Sequence, residues 1–425
     1  MTARINLMIR LALRNLLRQV RRSILTALAL IIGGALLMFS VSLGDGTHED
    51  WIESAVRMGS GHIALQAPGF YQSRKIDDRL SEQARRAAEE ALRSLEVARH
   101  VVNAVPRLTT DGLASSPNGA RPAQIMGVDP VAEVGYSILD DKLAEGRYLE
   151  SDDRLAAYVG TGLAEALQLR VGARLVVTAQ DSDGEIAGQL VRVVGIFKSG
   201  VPEIDQAVIH IPLTTAGSWL GVGDDITTLA VLLDSSYRMS EVTSVLRRLL
   251  AGPIGDGELA LLGWREAMPE LDAAVKVDNL GNYMFQGVTF GIIALAIVNT
   301  ILMAVLHRRR EFGLLQAMGL SPRETGALVL IEGVILTALS GLVGIGLGIF
   351  VTWLFWRNGL DISFTWDADW SFSGVVLDPI IVPMFRLSRI AQGLVFILFI
   401  GAIASLYPAY RAARIDVAEA MKFDR

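Results

Sequence analysis

Residues 280–310 read LGNYMFQGVTFGIIALAIVNTILMAVLHRRR. No charged residue interrupts Leu280–Leu306, and three arginines follow almost at once. An apolar stretch of about 20 residues crosses a bilayer as a helix. Basic residues against one end mark the cytoplasmic side. Three more uncharged runs occur, Ile24–Leu43, Gly333–Trp356 and Ile390–Tyr410. The class expected is an α-helical membrane protein with four transmembrane helices. Between the first two lies a stretch large enough for an α+β extracytoplasmic domain.

The charges separate along the same boundaries. The chain has 425 residues and a net charge of −6. Gly44–Leu280 holds 35 acids and 22 bases, a net of −13, which leaves +7 for the remainder. An acidic middle between basic flanks fits two compartments and argues against a nucleic-acid partner. There is no cysteine, which excludes disulfides, thiolate metal sites and a cysteine nucleophile.

Arg4, Arg10, Arg14, Arg18, Arg21 and Arg22 precede the first run without an acid among them. They place the N-terminus in the cytoplasm. Their long lead and the absence of a small-residue cleavage site after Leu43 favour a retained anchor over a signal peptide. Arg308, Arg309, Arg310 and Arg323 make the loop after the second span cytoplasmic. Arg411, Arg414, Lys422 and Arg425 do the same for the tail. The expected organisation is therefore an interfacial amphipathic helix over 1–22, a span over 23–45 and a periplasmic α+β domain over 46–279. Spans over 280–306, 326–356 and 390–410 follow. They are joined by a cytoplasmic loop over 307–325 and an extracytoplasmic loop over 357–389, and the tail is 411–425. Both termini are cytoplasmic in a multi-pass membrane protein.

In the lead, the arginines recur at helical spacing opposite Ile5, Met8, Ile9, Leu13, Leu16, Leu17 and Val20, the pattern of a helix lying along the headgroups. Gly287 and Gly291, and Gly344 and Gly348, give small-xxx-small spacings at which helix backbones approach. Glu332 sits in the apolar run LVLIEGVIL. Such a carboxylate needs a partner, which Arg323 or a neighbouring chain could supply.

In the insert, His62–Gln66, Ala123–Val128, Arg174–Thr178, Leu190–Phe197, Ala207–Ile211 and Thr228–Leu233 read as strands. Ser81–Val97, Thr161–Leu169 and Ser240–Leu250 read as helices, with Ser81 as a cap. Asp181–Gly188 reads as a hairpin tip. No phosphate-binding loop, GxSxG, HExxH or GxGxxG occurs in a usable context, so no catalytic residue is assigned. His48-Glu49-Asp50 reads as a solvated loop rather than a metal site. Asp152-Asp153 and Asp224-Asp225 read as turn or cap residues.

Two segments carry a family signal. HRRREFGLLQAMGLSPRET over 307–325 places basic residues, a short amphipathic stretch, Gly319 and Ser321-Pro322 in succession. Tyr407-Pro408-Ala409-Tyr410-Arg411-Ala412-Ala413-Arg414-Ile415-Asp416 ends the fourth run, followed by Val417 through Met421. Together they resemble the permeases of ABC transporters that include the lipoprotein-releasing, macrolide-exporter and FtsX types. Gly127-Val128-Asp129-Pro130 and the stretch from Gly160 to Gly172 are similar to that family's outer domain. Gly59 to Gly69 (GSGHIALQAPG) resembles the opening of the lipoprotein-release branch.

The resemblance implies a coupling helix over 311–319 that docks in a separate cytoplasmic ABC ATPase dimer. Phe312, Leu314, Leu315, Met318 and Gly319 would form its body, and Arg310 or Glu311 its polar anchor. ATP and Mg would be bound by that partner and no cofactor by this chain. It further implies a second permease copy or paralogue and contact with membrane lipid. A periplasmic carrier or adaptor would be the outer partner. Motion would pass through the first two helices to the outer domain. Leu37, Ser40, Phe285 and Phe290 could face an acyl chain. The cargo suggested is a lipoprotein or lipid; the alternatives are peptide or drug efflux and activation of a cell-wall hydrolase. The Asp181–Gly188 hairpin is too short for the elaborate carrier-gripping hook of the release systems.

Overall fold

The computed structural model describes residues 2–18, 20–361, 363, 371–372, 375–376 and 380–417. Residues 362, 364–370, 373–374 and 377–379 of the expected loop over 357–389 and Glu419, Ala420, Met421, Lys422 and Arg425 lie outside them, as do the side chains of Arg4, Arg21 and Arg22. Eight described helices have nine residues or more: α1 Thr2–Arg18, α2 Val20–Met58, α3 Glu82–Leu92, α4 Met239–Leu249, α5 Pro269–His307, α6 Arg309–Ala317, α7 Pro322–Trp356 and α8 Leu387–Ala413. Four of these, α2, α5, α7 and α8, are long and apolar enough to cross a membrane. The chain divides into two compact units, one holding Met1–Thr47, Val277–Asp361 and Ile380–Arg425, the other His48–Lys276 and Ile362–Pro379.

In the first unit the membrane helices meet through small residues. A Cβ on Gly344 would stand 2.7 Å from the carbonyl oxygen of Ile31, and one on Gly348 equally close to that of Ala35. Both are closer than a real Cβ tolerates, so α2 and α7 touch backbone to backbone only because both positions are glycine. On α5, a Cβ at Gly287 or Gly291 would meet no atom of the described residues within 4 Å. Leu37 and Met38 of α2 pack with Ile345 and Ile397 of α7 and α8. Buried Asp45 on α2 faces Arg389 at 3.3 Å and Arg386 at 3.9 Å, holding the first turn of α8 and the residue before it. The N-terminal helix has three faces rather than two. Met8, Leu11 and Ala12 pack into the bundle, Arg10 and Arg14 are exposed, and Ile9 and Leu13 remain exposed apolar residues.

The second unit is built on one ten-stranded sheet. Its strands are β1 Ile63–Gln66, β2 Val101–Ser116, β3 Gly119–Val128, β4 Leu143–Gly146, β5 Ala156–Gly160, β6 Arg174–Gln180, β7 Ile186–Phe197, β8 Val208–Pro212, β9 Thr228–Leu233 and β10 Ala260–Gly263. They lie in the order β10-β1-β9-β2-β3-β8-β5-β7-β4, with β6 pairing β2 and β7. The sheet is mixed, with parallel pairs β3–β8 and β5–β7. One face packs a core from Leu108, Ile125, Leu163, Val177, Ile209 and neighbours, continued by Leu65, Leu229, Val231 and the apolar stripes of α3 and α4. The β6–β7 hairpin turns at Asp181–Glu185, with Gly184 at φ 81°.

Several expectations change. The run Ser81–Val97 is not one helix: α3 ends at Leu92 and a separate turn covers Leu95–Ala98. Ser81 does cap, accepting from the Ala84 N–H at 3.2 Å. The longest strand, β2, is not marked as a strand by its sequence, because Pro106 and Arg107 are unusual in a central strand. His48-Glu49-Asp50 is not a loop but part of α2. His48 is buried against Trp51, and Glu49 accepts from Ser236 Oγ at 2.7 Å and the Tyr237 hydroxyl at 3.0 Å.

Burial gives the second unit a pH dependence. His210 on β8 is fully buried, with Nδ1 3.4 Å from the Tyr148 hydroxyl. Desolvation, with Arg107 adding repulsion, pushes its pKa down to about 3. Burial also lowers that of His62. An unfolded histidine takes a proton near pH 6.5, so below that pH the unfolded state binds more protons and stability falls. At pH 5 the loss from His210 is about 2 kcal/mol. The chain should melt lower at pH 5 than at pH 7.5 in a circular-dichroism scan, and His210→Gln should shrink that difference. An equal difference in the variant would rule out His210 as its source.

Candidate functional site

The turn between α5 and α7 is closed by its own hydrogen bonds. Arg308, at φ −106° and ψ 17°, breaks the helical path between α5 and α6. The end of α6 is fixed by Gly319 at φ 103°, with Gly319 N–H donating to Gln316 O and Leu320 N–H to Leu315 O, both at 3.0 Å. This paired closure needs a left-handed residue after the helix, and glycine adopts it without a Cβ penalty. Ser321 then caps α7, accepting from the Glu324 N–H at 3.3 Å while Glu324 accepts from the Ser321 N–H at 2.9 Å, and Pro322 fills the first helical position.

Arg308 holds the three helices at this point. Its side chain is 6% exposed. Nε donates to Glu311 at 2.8 Å and Nη1 to the two oxygens of Glu332 at 3.3 and 3.2 Å, and the guanidinium lies 5.0 Å from the Phe312 ring centre. Glu332 thus has its cation from Arg308 rather than from Arg323. Phe312 is fully buried among Val305, Leu328, Val329, Ala409 and Ala412, joining α6 to α5, α7 and α8. Leu315 packs at the edge of this cluster, and Gln316 donates to Thr325 Oγ1 at 3.3 Å.

The opposite face of α6 is open. Leu314 is 49% and Met318 70% exposed, and Arg310 and Ala317 lie on the same side. Their spacing of four and three to four residues makes one stripe along the helix. The expectation that Phe312 offers apolar contact to a partner is corrected: its ring is inside the bundle. Leu315 is half-buried. Leu314 and Met318 are the apolar residues left exposed. Glu311 serves Arg308, though half of its surface remains open. In the sequence Arg308 reads as one more basic residue of the cytoplasmic loop. A buried carboxylate in an apolar run does signal a nearby cation, and Arg308 is the first arginine at the end of α5.

The residues proposed to face an acyl chain are not brought to one surface. Leu37 is buried against α7 and α8, and Ser40 is half-buried. Phe290 stacks on Phe396 at 5.7 Å, while Phe285 lies exposed beside Met284 and Val288. Among the described residues no cluster of acidic or histidine side chains could hold a metal ion.

A membrane bundle interrupted by one large mixed-sheet domain, with a short amphipathic helix stapled between its second and third spans, is the architecture of a transporter permease. The MacB-like periplasmic core domain family matches residues 23–249, and the FtsX-like permease C-terminal family matches residues 283–417. The first match covers more than half of the chain, which belongs to the ABC transporter permeases of the MacB and FtsX type. It is similar to the lipoprotein-releasing system transmembrane protein LolC of Neisseria meningitidis, 22% identical over 78% of this chain and 81% of that protein. It is similar to the uncharacterised ABC transporter permease YknZ of Bacillus subtilis, 22% identical over 98% of each. It also resembles the macrolide export ATP-binding/permease protein MacB of Campylobacter jejuni, 24% identical over 97% of this chain and 60% of that protein.

Proposed function

We propose that the chain is the permease subunit that carries motion from a separate cytoplasmic ABC ATPase dimer to its own periplasmic domain, releasing lipoprotein or lipid from the inner membrane. The observation that carries this reading is the construction of α6. One face is anchored to α5 and α7 through Arg308, Glu332 and Phe312, and the other presents Arg310, Leu314 and Met318. A helix held that way moves with the bundle when its open face is pushed. ATP and Mg belong to the partner, and the end of the bundle carrying α6 belongs to the cytoplasm, as its arginines require.

The long helices support transmission. α2 and α5 have 39 residues each, about 58 Å at the α-helical rise. A bilayer core takes roughly 30 Å. Each helix continues without a break from residues of the membrane unit into residues of the inserted domain. A second permease copy or paralogue beside the first unit is supported by the exposed apolar face of α5, where a Cβ on Gly287 or Gly291 would meet no atom of the described residues within 4 Å. Phe285 on that helix is the residue nearest to the acyl-chain role.

Lipoprotein is favoured as cargo by the likeness to LolC and by the segment Gly59 to Gly69; the likeness to MacB supports efflux as the second reading. The two separate in one assay. In proteoliposomes holding permease and ATPase, a triacylated lipoprotein should raise ATP hydrolysis several-fold, while its deacylated form and unrelated peptides should not. Stimulation by peptides alone would transfer the chain to the efflux reading, and stimulation by neither would remove both.

A further inference from the structure

The inserted domain contains a cavity of about 330 Å³ whose floor is one face of the sheet. Register shows which residues share that face. Gln66 pairs Thr228, Thr228 pairs Arg107, Thr109 pairs Met126, and Gln124 pairs Val208. Directly paired residues point to the same side, and so do alternate residues such as Arg107 and Thr109. All seven line the cavity. The other side of the same strands carries Leu65, Leu108, Ile125, Ile209 and Leu229 into the core. The sheet therefore turns a largely polar face to this cavity, which is open on one side.

The polar groups there are not used by the fold. The side chains of Gln66, Gln124, Thr109 and Thr228 form no hydrogen bond to the described protein, and Gln66 is only 4% exposed. Gln124 and Thr109 are half-buried, so these groups face the opening and are free to bond what enters the cavity. Arg107 is different. It is bound to Glu133 and to the carbonyl oxygens of Met58 and Gly59, so its charge is already matched. The walls are apolar and adaptable: Met58, Phe70, Leu139 and Met268. At the margin Arg74 is exposed and unpaired among the described residues. Its backbone sits at φ 49° and ψ 23°, a left-handed conformation that a non-glycine residue rarely adopts.

We propose that this cavity binds a short peptide segment. Side-chain amides of Gln66 and Gln124 donate and accept together, which matches the peptide group. One apolar side chain of the ligand would lie against Met58, Phe70 and Met268, and a carboxylate would meet Arg74. The volume falls at the small end of ligand pockets, enough for a few residues and not for a folded partner. This goes beyond the coupling reading: the cavity is lined by the inserted domain alone, and its occupancy does not depend on α6.

The test uses the full chain in lipid nanodiscs. A pool of N-acetylated tripeptides of randomised sequence, half with free carboxylates and half with C-terminal amides, is equilibrated with it, and the bound fraction is read by mass spectrometry. Members with one large apolar residue should be enriched over empty nanodiscs. Gln66→Leu combined with Gln124→Leu should cut that enrichment about tenfold, the loss of one to two hydrogen bonds, at an unchanged melting temperature. Arg74→Ala, an exposed site that does not threaten folding, should abolish the preference for free carboxylates. No enrichment, or enrichment that both variants leave intact, would overturn the proposal. So would saturable binding of dansyl-undecanoate that displaces every peptide and ignores the glutamine substitutions.

Discussion

Arg308→Leu is expected to lower the stability of the chain by about 3–5 kcal/mol and to abolish cargo-stimulated ATP hydrolysis in the reconstituted transporter. Glu332 lies on an apolar helix, and Arg308 reaches both of its oxygens. Removing one member of a buried ion pair takes away the cation that meets both oxygens of the other, and such losses are strongly destabilising. The same principle makes the pair replaceable. Arg308→Met together with Glu332→Met removes both charges of the buried pair, with Glu311 left half exposed to solvent, and should return the melting temperature close to that of the unsubstituted chain. Coupling should not return with it, because methionines supply packing without the directional bonds that hold α6 to α7. A single variant that melts normally would show that Arg308 does not hold these helices. A double variant with full stimulation would show that packing alone transmits the motion.

The sequence discloses the membrane helices because nothing but an uncharged run is needed to see them. It conceals how far they go. Gly44-Asp45-Gly46 reads as the end of the first helix, yet α2 continues to Met58. The second glycine is there because Val382 and Pro383 pass directly against it, leaving no room for a Cβ, and Asp45 is there for Arg386 and Arg389. Beyond them Glu53 and Arg57 stand four apart and pair at 3.4 Å, an ordinary helical contact that looks like loop polarity in a linear reading. The cavity floor was illegible for a related reason. Polar residues alternating in β1, β2, β3 and β9 look like solvent-facing positions, and only the register that joins the β2–β3 hairpin to β1 and β9 shows that they line one cavity. At the coupling segment the composition was legible and the orientation was not. Phe312, Leu314, Leu315 and Met318 are equally apolar in a list, and which of them turns inward depends on Leu328, Ala409 and Ala412 from other helices.

That division of α6 into an inner and an outer face makes two substitutions behave in opposite ways. Leu314→Asp with Met318→Asp alters two exposed side chains, so the melting temperature should hardly move. At a partner's groove the same change removes two apolar contacts and introduces two desolvated carboxylates. Anchors of that kind are worth about 2 kcal/mol or more each when truncated. Co-purification with the ATPase should therefore fall to background. Phe312→Ala should do the reverse. It empties a fully enclosed site and costs about 3–5 kcal/mol of stability. Whatever fraction stays folded still presents Leu314 and Met318, so ATPase bound per folded molecule should stay near normal. The comparison is read from two measurements on each variant, a thermal melt and the ratio of ATPase to permease after affinity purification. If the double aspartate variant retains its ATPase, the exposed stripe is not the docking surface. If Phe312→Ala loses the ATPase at an unchanged melt, the ring faces the partner and the inward packing of α6 is wrong.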